Sequence, residues 1–121
     1  MFTDIKTFEE ACTKLNIPPT LPDVSMLREQ NQKAVVANYK LDVIQEAINE
    51  DWKADWNNWD QRKYYPWFQK SSSGVGFSFL GCTRDYAFSG VGSRRVFPSA
   101  EIARYVGDQF IELYNDAKWL E

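Results

Sequence analysis

The sequence predicts an α+β fold in which a small three-stranded antiparallel sheet, a meander, packs against two main helices and a short N-terminal helix. Two observations lead to this class. Segments with helical spacing of apolar residues stand toward both ends of the chain, and short segments of β-forming residues cluster between them. The length of 121 residues is enough for one ordinary core, so we expect a single domain over residues 1–121.

The first helix is predicted to begin after Thr7, because Thr7 and Glu10 have the spacing of a capping box. In that motif the Glu10 side chain reaches back to the Thr7 amide. Apolar residues then recur at helical spacing from Phe8 to Asn16, which indicates a short amphipathic helix. Cys12 falls on its apolar face, where a buried thiol acting as a small hydrophobic group is expected.

Three prolines exclude a helix from Ile17 to Asp23, because proline lacks a backbone donor and fixes φ. We expect an extended connection laid over the surface, with Ile17 and Leu21 as candidate tethers to the core. Residues Val24–Leu27 are compatible with a single helical turn.

The longest regular element is predicted from about Gln30 to Asp51, where no glycine or proline interrupts an amphipathic pattern. The residues expected to face the core are Val36, Tyr39, Val43, Ala47 and Glu50, with Val35, Ile44 and Ile48 widening the stripe. The opposite side is expected to be solvated and includes Asp42 and Asn49.

Residues 51–68 hold most of the tryptophans of the chain, so we expect this stretch to anchor the fold. These tryptophans are Trp52, Trp56, Trp59 and Trp67. Asn57 and Asn58 favour a turn after the long helix, whereas the helical spacing of the first three tryptophans fits a continuing helix, and both alternatives stay open. Trp56 and Trp67 are predicted core anchors, since they come at the junction between helix and sheet.

Three short strands are predicted after the tryptophan-rich stretch, at Tyr64–Lys70, Val75–Cys82 and Arg94–Phe97. The first two are expected to form a hairpin through the turn-forming residues Ser71–Gly74. Glycines predict a loop over Ala87–Ser93. Ser99 is the predicted N-cap of a single closing helix that runs toward the C-terminus.

The motifs of this region carry a resemblance. They are a W-x-x-D-W-x-N run from Trp52, the strand K-Y-Y-P-W-F from Lys63, the loop V-G-S-R from Val91, and Q-F-x-x-L-Y from Gln109. From the long helix to the C-terminus, the chain resembles a group of uncharacterised small proteins found in phages and mobile elements of gut Bacteroides-type bacteria. The resemblance implies a phage or mobile-element origin and implies no catalytic activity.

Several kinds of catalytic site are excluded by composition. The chain has no histidine, which excludes Ser-His and Cys-His nucleophile pairs and the common zinc-protease motif. Its two cysteines, Cys12 and Cys82, are far apart and lack zinc-site spacing. We therefore expect a protein that is not an enzyme and that needs no cofactor.

Asp51, Asp55 and Asp60 are the carboxylates that could hold Mg²⁺ or Ca²⁺, but their spacing matches no known ion-binding loop. We expect no metal, and interpret these acids as solvating a tryptophan-rich turn. The N-terminal residues lack the apolar run of a signal peptide, and no stretch has the length of a membrane span. A cytoplasmic protein without a membrane partner is expected.

Charge is unevenly distributed along the chain. Residues 61–98 carry six basic residues and one acid, a net charge of +5, whereas the remainder carries −8. The same region is rich in aromatic residues: Tyr64, Tyr65, Trp67, Phe68, Phe77, Phe79, Tyr86, Phe88 and Phe97. Aromatic rings among basic residues are typical of single-stranded nucleic-acid binding, but they equally supply a core.

An anion site is predicted where the glycine loop meets the far end of the hairpin. Its basic residues would be Arg84, Arg94 and Arg95, with Tyr64, Tyr86 or Phe88 beside them. A plain glycine loop that joins two strands is the alternative interpretation.

Two functions remain. The first is a non-catalytic phage or mobile-element accessory protein that binds a protein partner. The alternative is a protein that binds a nucleotide or single-stranded nucleic acid through a basic aromatic sheet face. A homo-oligomer is compatible with either function.

Overall fold

The computed structural model describes residues 1–58, 60–70, 77–85 and 95–117, and along 67–70 and 77–85 it describes the backbone alone. Within these ranges the chain forms four α-helices and two strands. They are α1 (Phe8–Leu15), α2 (Glu29–Asn49), β1 (Lys63–Lys70), β2 (Phe77–Asp85), α3 (Ala100–Gln109) and α4 (Ile111–Asp116). A 3₁₀ turn over Phe2–Asp4 precedes α1.

Helix α1 has the N-cap that its sequence predicts. The Glu10 N–H donates to Thr7 Oγ1 (3.1 Å), and Asn16 ends the helix in the left-handed conformation at φ 57°. The second half of the predicted capping box is wrong. The Glu10 carboxylate accepts hydrogen bonds from the Lys6 N–H (3.2 Å) and the Thr7 hydroxyl (3.3 Å), not from the Thr7 amide. Cys12 is buried, as expected.

Helix α2 turns part of the predicted stripe to the core: Val43, Ile44, Ala47 and Ile48 are buried as expected. Its buried residues are Ala37, Leu41, Val43, Ile44, Ala47 and Ile48. Val35 and Glu50 are exposed and Val36 is half-buried, so the prediction is wrong at these three positions. The helix stops before Glu50, whose φ is 54°, and the described residues of the tryptophan-rich stretch before β1 form no further helix.

The predicted three-stranded meander is wrong, and the described part of the chain is mostly helical. Strand β1 pairs antiparallel with β2, from Lys63 opposite Asp85 to Lys70 opposite Phe77. The third predicted strand contributes only one isolated bridge, in which Tyr64 and Phe97 exchange hydrogen bonds of 3.0 and 2.8 Å.

Helix α2 explains why residues 95–97 do not continue as a strand. The Val96 carbonyl accepts hydrogen bonds from Gln45 Nε2 (3.2 Å) and Asn49 Nδ2 (2.9 Å) of that helix. Pro98 follows the bridge and has no N–H with which to extend a ladder. The polar groups that a strand would use are therefore taken by α2 or are missing.

The closing helix begins as predicted but is divided in two. Ser99 is the N-cap, and its Oγ accepts from the Ile102 N–H (3.2 Å). Phe110 leaves helical geometry, with φ −113° and ψ 25°, and separates α3 from α4. The Phe110 ring is buried and lies edge-on to Tyr105, 6.4 Å between ring centres, so packing of this ring accompanies the break.

The core lies among the four helices, with α2 packed on α1 and α4, and α3 packed across β1 and β2. Its members are Ile5, Phe8, Ala11, Cys12, Ala37, Leu41, Val43, Ile44, Ala47, Ile48, Phe97, Ala103, Val106, Phe110, Tyr114 and Ala117. Trp56 is half-buried and lies outside this cluster, so its prediction as a core anchor is wrong. The Trp67 side chain, the predicted turn at 71–74 and the loop at 87–93 lie outside the described residues.

Candidate partner-binding surface

The structure describes the side chains of two of the six predicted anion-binding residues, Tyr64 and Arg95. Arg84 is described by its backbone alone, and Tyr86, Phe88 and Arg94 lie outside the described residues. Tyr64 is half-buried, stands opposite Arg84 in the strand register and bridges Phe97 on its other side. The backbone therefore brings Tyr64, Arg84 and the segment that contains Arg95 to neighbouring positions, and the site as a whole stays a prediction.

Arg95 is turned into the protein. Its side chain is 10% exposed and forms an ion pair with Asp42, in which Nη1 donates to Oδ1. Nη2 donates to the Asn38 carbonyl (3.2 Å) and to Asn38 Oδ1 (3.0 Å). The guanidinium thus fastens the segment before α3 to helix α2, a structural role that the sequence does not predict.

Four polar side chains of α2 hold the segment before α3 in place. Asn38, Asp42, Gln45 and Asn49 follow one another by four, three and four residues, which places them in one row along the helix. The row contacts Arg95 and Val96 through the hydrogen bonds described above. Asp42 is exposed, as expected of the solvated side, although it pairs with Arg95, whereas Asn49 is half-buried. The regular spacing beside the apolar stripe is the signal that points to the role of these residues.

The loop after α2 closes over a buried lysine. Lys63 is fully buried, and its Nζ donates to the carbonyls of Gln61 (3.0 Å) and Asn58 (3.4 Å). The same Nζ lies 5.2 Å from the centre of the Trp56 ring, within the range of a cation–π interaction. Trp56 therefore covers a cation at the edge of the molecule.

The acids of this loop take part in turns. Asp55 Oδ1 accepts from the Asn57 N–H (3.0 Å), and the Asp60 N–H donates to Asn58 Oδ1 (2.9 Å). Across the described ranges, no group of three His, Cys, Asp or Glu side chains is placed to hold a metal ion. These contacts agree with interpreting the acids as turn residues.

An acidic pocket of about 500 Å³ lies at the C-terminal end of α2. Its lining includes four acids, Asp42, Glu46, Glu50 and Asp51, and one base, Lys53, beside Trp52. Lys14 Nζ lies 2.6 Å from Glu50 Oε1, and this hydrogen bond holds the pKa of the Glu50 carboxyl below its ordinary value. A pocket with this charge disfavours phosphate.

The Cys12 thiol is buried and free. Burial raises its pKa, with the Glu9 carboxylate adding in the same direction. A thiol held in its protonated form inside the core is a poor nucleophile.

Apart from Met1, the exposed large apolar residues of the described ranges occur in and just after the connector, residues 16–28, which joins α1 to α2. Met26 is 93% exposed and Leu21 is 43% exposed, so Leu21 is not the tether that the sequence suggests. The full set of large apolar residues exposed here is Ile17, Leu21, Met26, Leu27 and Val35, which we call the apolar strip. Apolar side chains gathered on a surface commonly mark a binding site.

A groove of about 410 Å³ runs beside the connector, between α2 and α4. Val24, Val36 and Leu113 form part of its lining, and the ion pair between Lys33 and Asp116 (3.3 Å) belongs to the same lining. The connector is thus bordered by a further concave, partly apolar surface.

Comparison with known proteins adds no assignment. None of the helices in the described ranges combines the length and the apolarity needed to cross a membrane. No protein-family model, curated protein or solved structure matches this chain.

Proposed function

We propose that the protein is a non-catalytic binding module for another protein, and that it acts in the cytoplasm as an accessory protein of a phage or mobile element. The observation that carries this proposal is the exposure of the apolar strip. A sequence without histidine and a core-buried Cys12 support a role without acid–base or thiol chemistry. The phage or mobile-element setting rests on the sequence resemblance.

Charge favours a protein ligand over a nucleic acid at this surface. The connector carries one acid, Asp23, and one base, Arg28, whereas nucleic-acid binding uses clustered Lys and Arg. Binding of a nucleotide or single strand stays the alternative for residues 61–98, because the backbone places Tyr64 opposite Arg84.

The proposal is tested by photo-crosslinking of the full chain in cells. A photoreactive amino acid replaces Met26 in the apolar strip or, as the matched control, Glu9 on the exposed side of α1. We expect a discrete adduct from position 26 that weakens several-fold when Leu21→Ser and Leu27→Ser are added. An adduct with the mass of two chains would identify the partner as a second copy. Absence of an adduct, or equal labelling from both positions, contradicts the proposal.

A further inference from the structure

We propose that residues Ile17–Asp23 bind, as a polyproline II helix, in the aromatic-lined groove of a partner protein. This inference rests on the proposed function and names the kind of partner that it requires. Its basis is a combination of backbone restriction, exposure and side-chain spacing in the sequence I-P-P-T-L-P-D.

Proline restricts nearly every backbone position of the segment. Pro18, Pro19 and Pro22 have φ fixed near −65°, and the residue before each proline is biased toward extended geometry. Ile17, Pro18 and Leu21 are those preceding residues, so only Thr20 between Ile17 and Pro22 is unrestricted. These restrictions together favour the polyproline II conformation in the free protein.

The segment keeps its backbone open to a partner. Residues 17–24 belong to no helix, strand or turn, and every residue from 17 to 23 is exposed. No backbone group of residues 18–22, all of which the structure describes, is hydrogen-bonded to the rest of the protein. Its carbonyls can therefore accept hydrogen bonds from the Trp and Tyr donors that line such grooves.

The segment is tied to α1 at Ile17, and the connector is tied to α2 at Leu27, four residues beyond the other end of the segment. The Ile17 N–H donates to the Cys12 carbonyl (3.0 Å), which fixes the exit from α1. After the segment, Asp23 Oδ1 accepts from the Ser25 N–H (3.0 Å) in a local turn, and Gln32 Nε2 of α2 donates to the Leu27 carbonyl (3.0 Å). An exposed segment held between fixed ends loses less conformational entropy on binding than a free tail does.

The spacing of the side chains suits the groove. A polyproline II helix has about three residues per turn, so Pro19 and Pro22 share one edge while Pro18 and Leu21 share the next. The segment thus has two consecutive pairs, Pro18-Pro19 and Leu21-Pro22, each of which would fill one of two neighbouring pockets of the partner's groove. This P-x-x-P arrangement is what aromatic-lined grooves recognise.

The length of the connector also points to a role beyond joining two helices. Residues 16–28 contain no regular secondary structure, and connections between packed helices usually need only about 2–8 residues. Longer structureless loops in compact domains are commonly functional or disordered. The ties at both ends favour the functional interpretation.

A direct test titrates the full chain with a panel of purified SH3 and WW domains, which carry aromatic-lined grooves of this kind. We expect at least one domain to bind with micromolar affinity and to bind a Pro19→Ala, Pro22→Ala variant about tenfold more weakly, because the variant loses both edge prolines. Pro98→Ala, which lies outside the connector, is the matched control and should bind as the wild type does. An unchanged melting temperature of the double variant would show that its fold is intact.

Absence of binding by every domain, or equal affinity for wild type and double variant, overturns the inference. The photo-crosslinking experiment separates this failure from that of the proposed function. An adduct from position 26 that persists in the double-proline variant leaves the binding module standing and removes the polyproline II mode. Absence of the adduct in the wild type removes the binding module itself.

Discussion

Lys63 and Arg95 are the two charged residues that are buried in the described part of the chain, and different acceptors hold each of them. Lys63 is held by carbonyls and a ring, and Arg95 by Asp42 and Asn38. Basic residues are almost never fully buried without partners, and the partners of Arg95 lie more than fifty positions away in the chain. The sequence therefore predicts an exposed Arg95, and only the folded structure reveals its burial.

Arg95→Ala should reduce the free energy of unfolding by about 2–4 kcal/mol, because it removes a buried stem and leaves buried groups of α2 without their donor. Urea denaturation measures the change. Lys33→Ala is the control, since Lys33 is 77% exposed and its bond to Asp116 should contribute less than about 0.5 kcal/mol. Equal losses in the two variants would mean that burial of Arg95 has no special value.

The buried Tyr114 should make the free energy of unfolding fall at alkaline pH. Burial raises the pKa of Tyr114, with the nearby Arg95 charge acting in the opposite direction. The folded state therefore keeps this proton at pH values where the unfolded chain, with a tyrosine pKa of about 10, has lost it. The contribution is complete below about pH 10 and declines as the pH rises further, by about 1.4 kcal/mol per pH unit. Denaturant unfolding between pH 9 and 11 should show a shallower decline for Tyr114→Phe, and parallel curves would contradict the assignment.

The variants Phe97→Ala and Trp56→Ala should differ in their loss of unfolding free energy, because Phe97 belongs to the core and Trp56 lies outside it. Phe97 is 1% exposed within the core, so its truncation should cost about 3–5 kcal/mol. Trp56 covers Lys63 outside the core, so its truncation should cost only about 1–2 kcal/mol. Chemical denaturation of both variants checks the order, and a larger loss for Trp56→Ala would reverse it.

At the level of elements, the sequence predicts what depends on near neighbours. The N-caps Thr7 and Ser99 bond to amides three residues away, and both are confirmed. The buried face of α2 and the structure of residues 95–97 depend on partners distant in the chain. There the predicted face is right only in part, and the predicted third strand is wrong. A short segment rich in β-forming residues cannot reveal that a helix will bind its carbonyl.

The end of α2 offers a test of backbone strain. Glu50 has φ 54° and ψ −118°, a region that glycine occupies readily and that costs other residues about 1–3 kcal/mol. Glu50→Gly should therefore raise the urea midpoint, even though it removes an exposed ion pair with Lys14. Glu46→Gly makes the same change one turn earlier inside the helix and should lower the midpoint. A lowered midpoint in both variants would exclude strain at Glu50.

On the scale of the whole molecule, the charge pattern is readable from the sequence but its exposure is not. The basic region from residue 61 to 98 predicts an anion site, yet two of its six basic residues, Lys63 and Arg95, are buried. The prediction that Ile17–Asp23 is a surface connection outside any helix is confirmed. The exposure of the Ile17 and Leu21 side chains emerges only from the packing.

The nucleotide alternative is tested with Arg95 left intact, because its removal would disturb the fold. If the basic region binds nucleotides or short single strands, an Arg84→Ala, Arg94→Ala variant should bind them more weakly than the wild type. Affinity should also fall as salt rises, since each phosphate contact releases counterions. Arg104→Ala, on the exposed side of α3, is the matched control. Absence of binding at low salt, or equal binding by all three proteins, leaves the protein partner as the sole function.

The polar row of α2, Asn38, Asp42, Gln45 and Asn49, is synthesised well before the residues to which it will bond. Its hydrogen bonds to Arg95 and Val96 span 47 to 57 positions of sequence. Ribosomes add about 5–20 residues per second, so α2 emerges several seconds before the segment that it will hold. Throughout that interval the row remains hydrated, and the nascent chain has no complete native state to reach. The native contacts of the row can therefore form only after residues 95 and 96 have been synthesised.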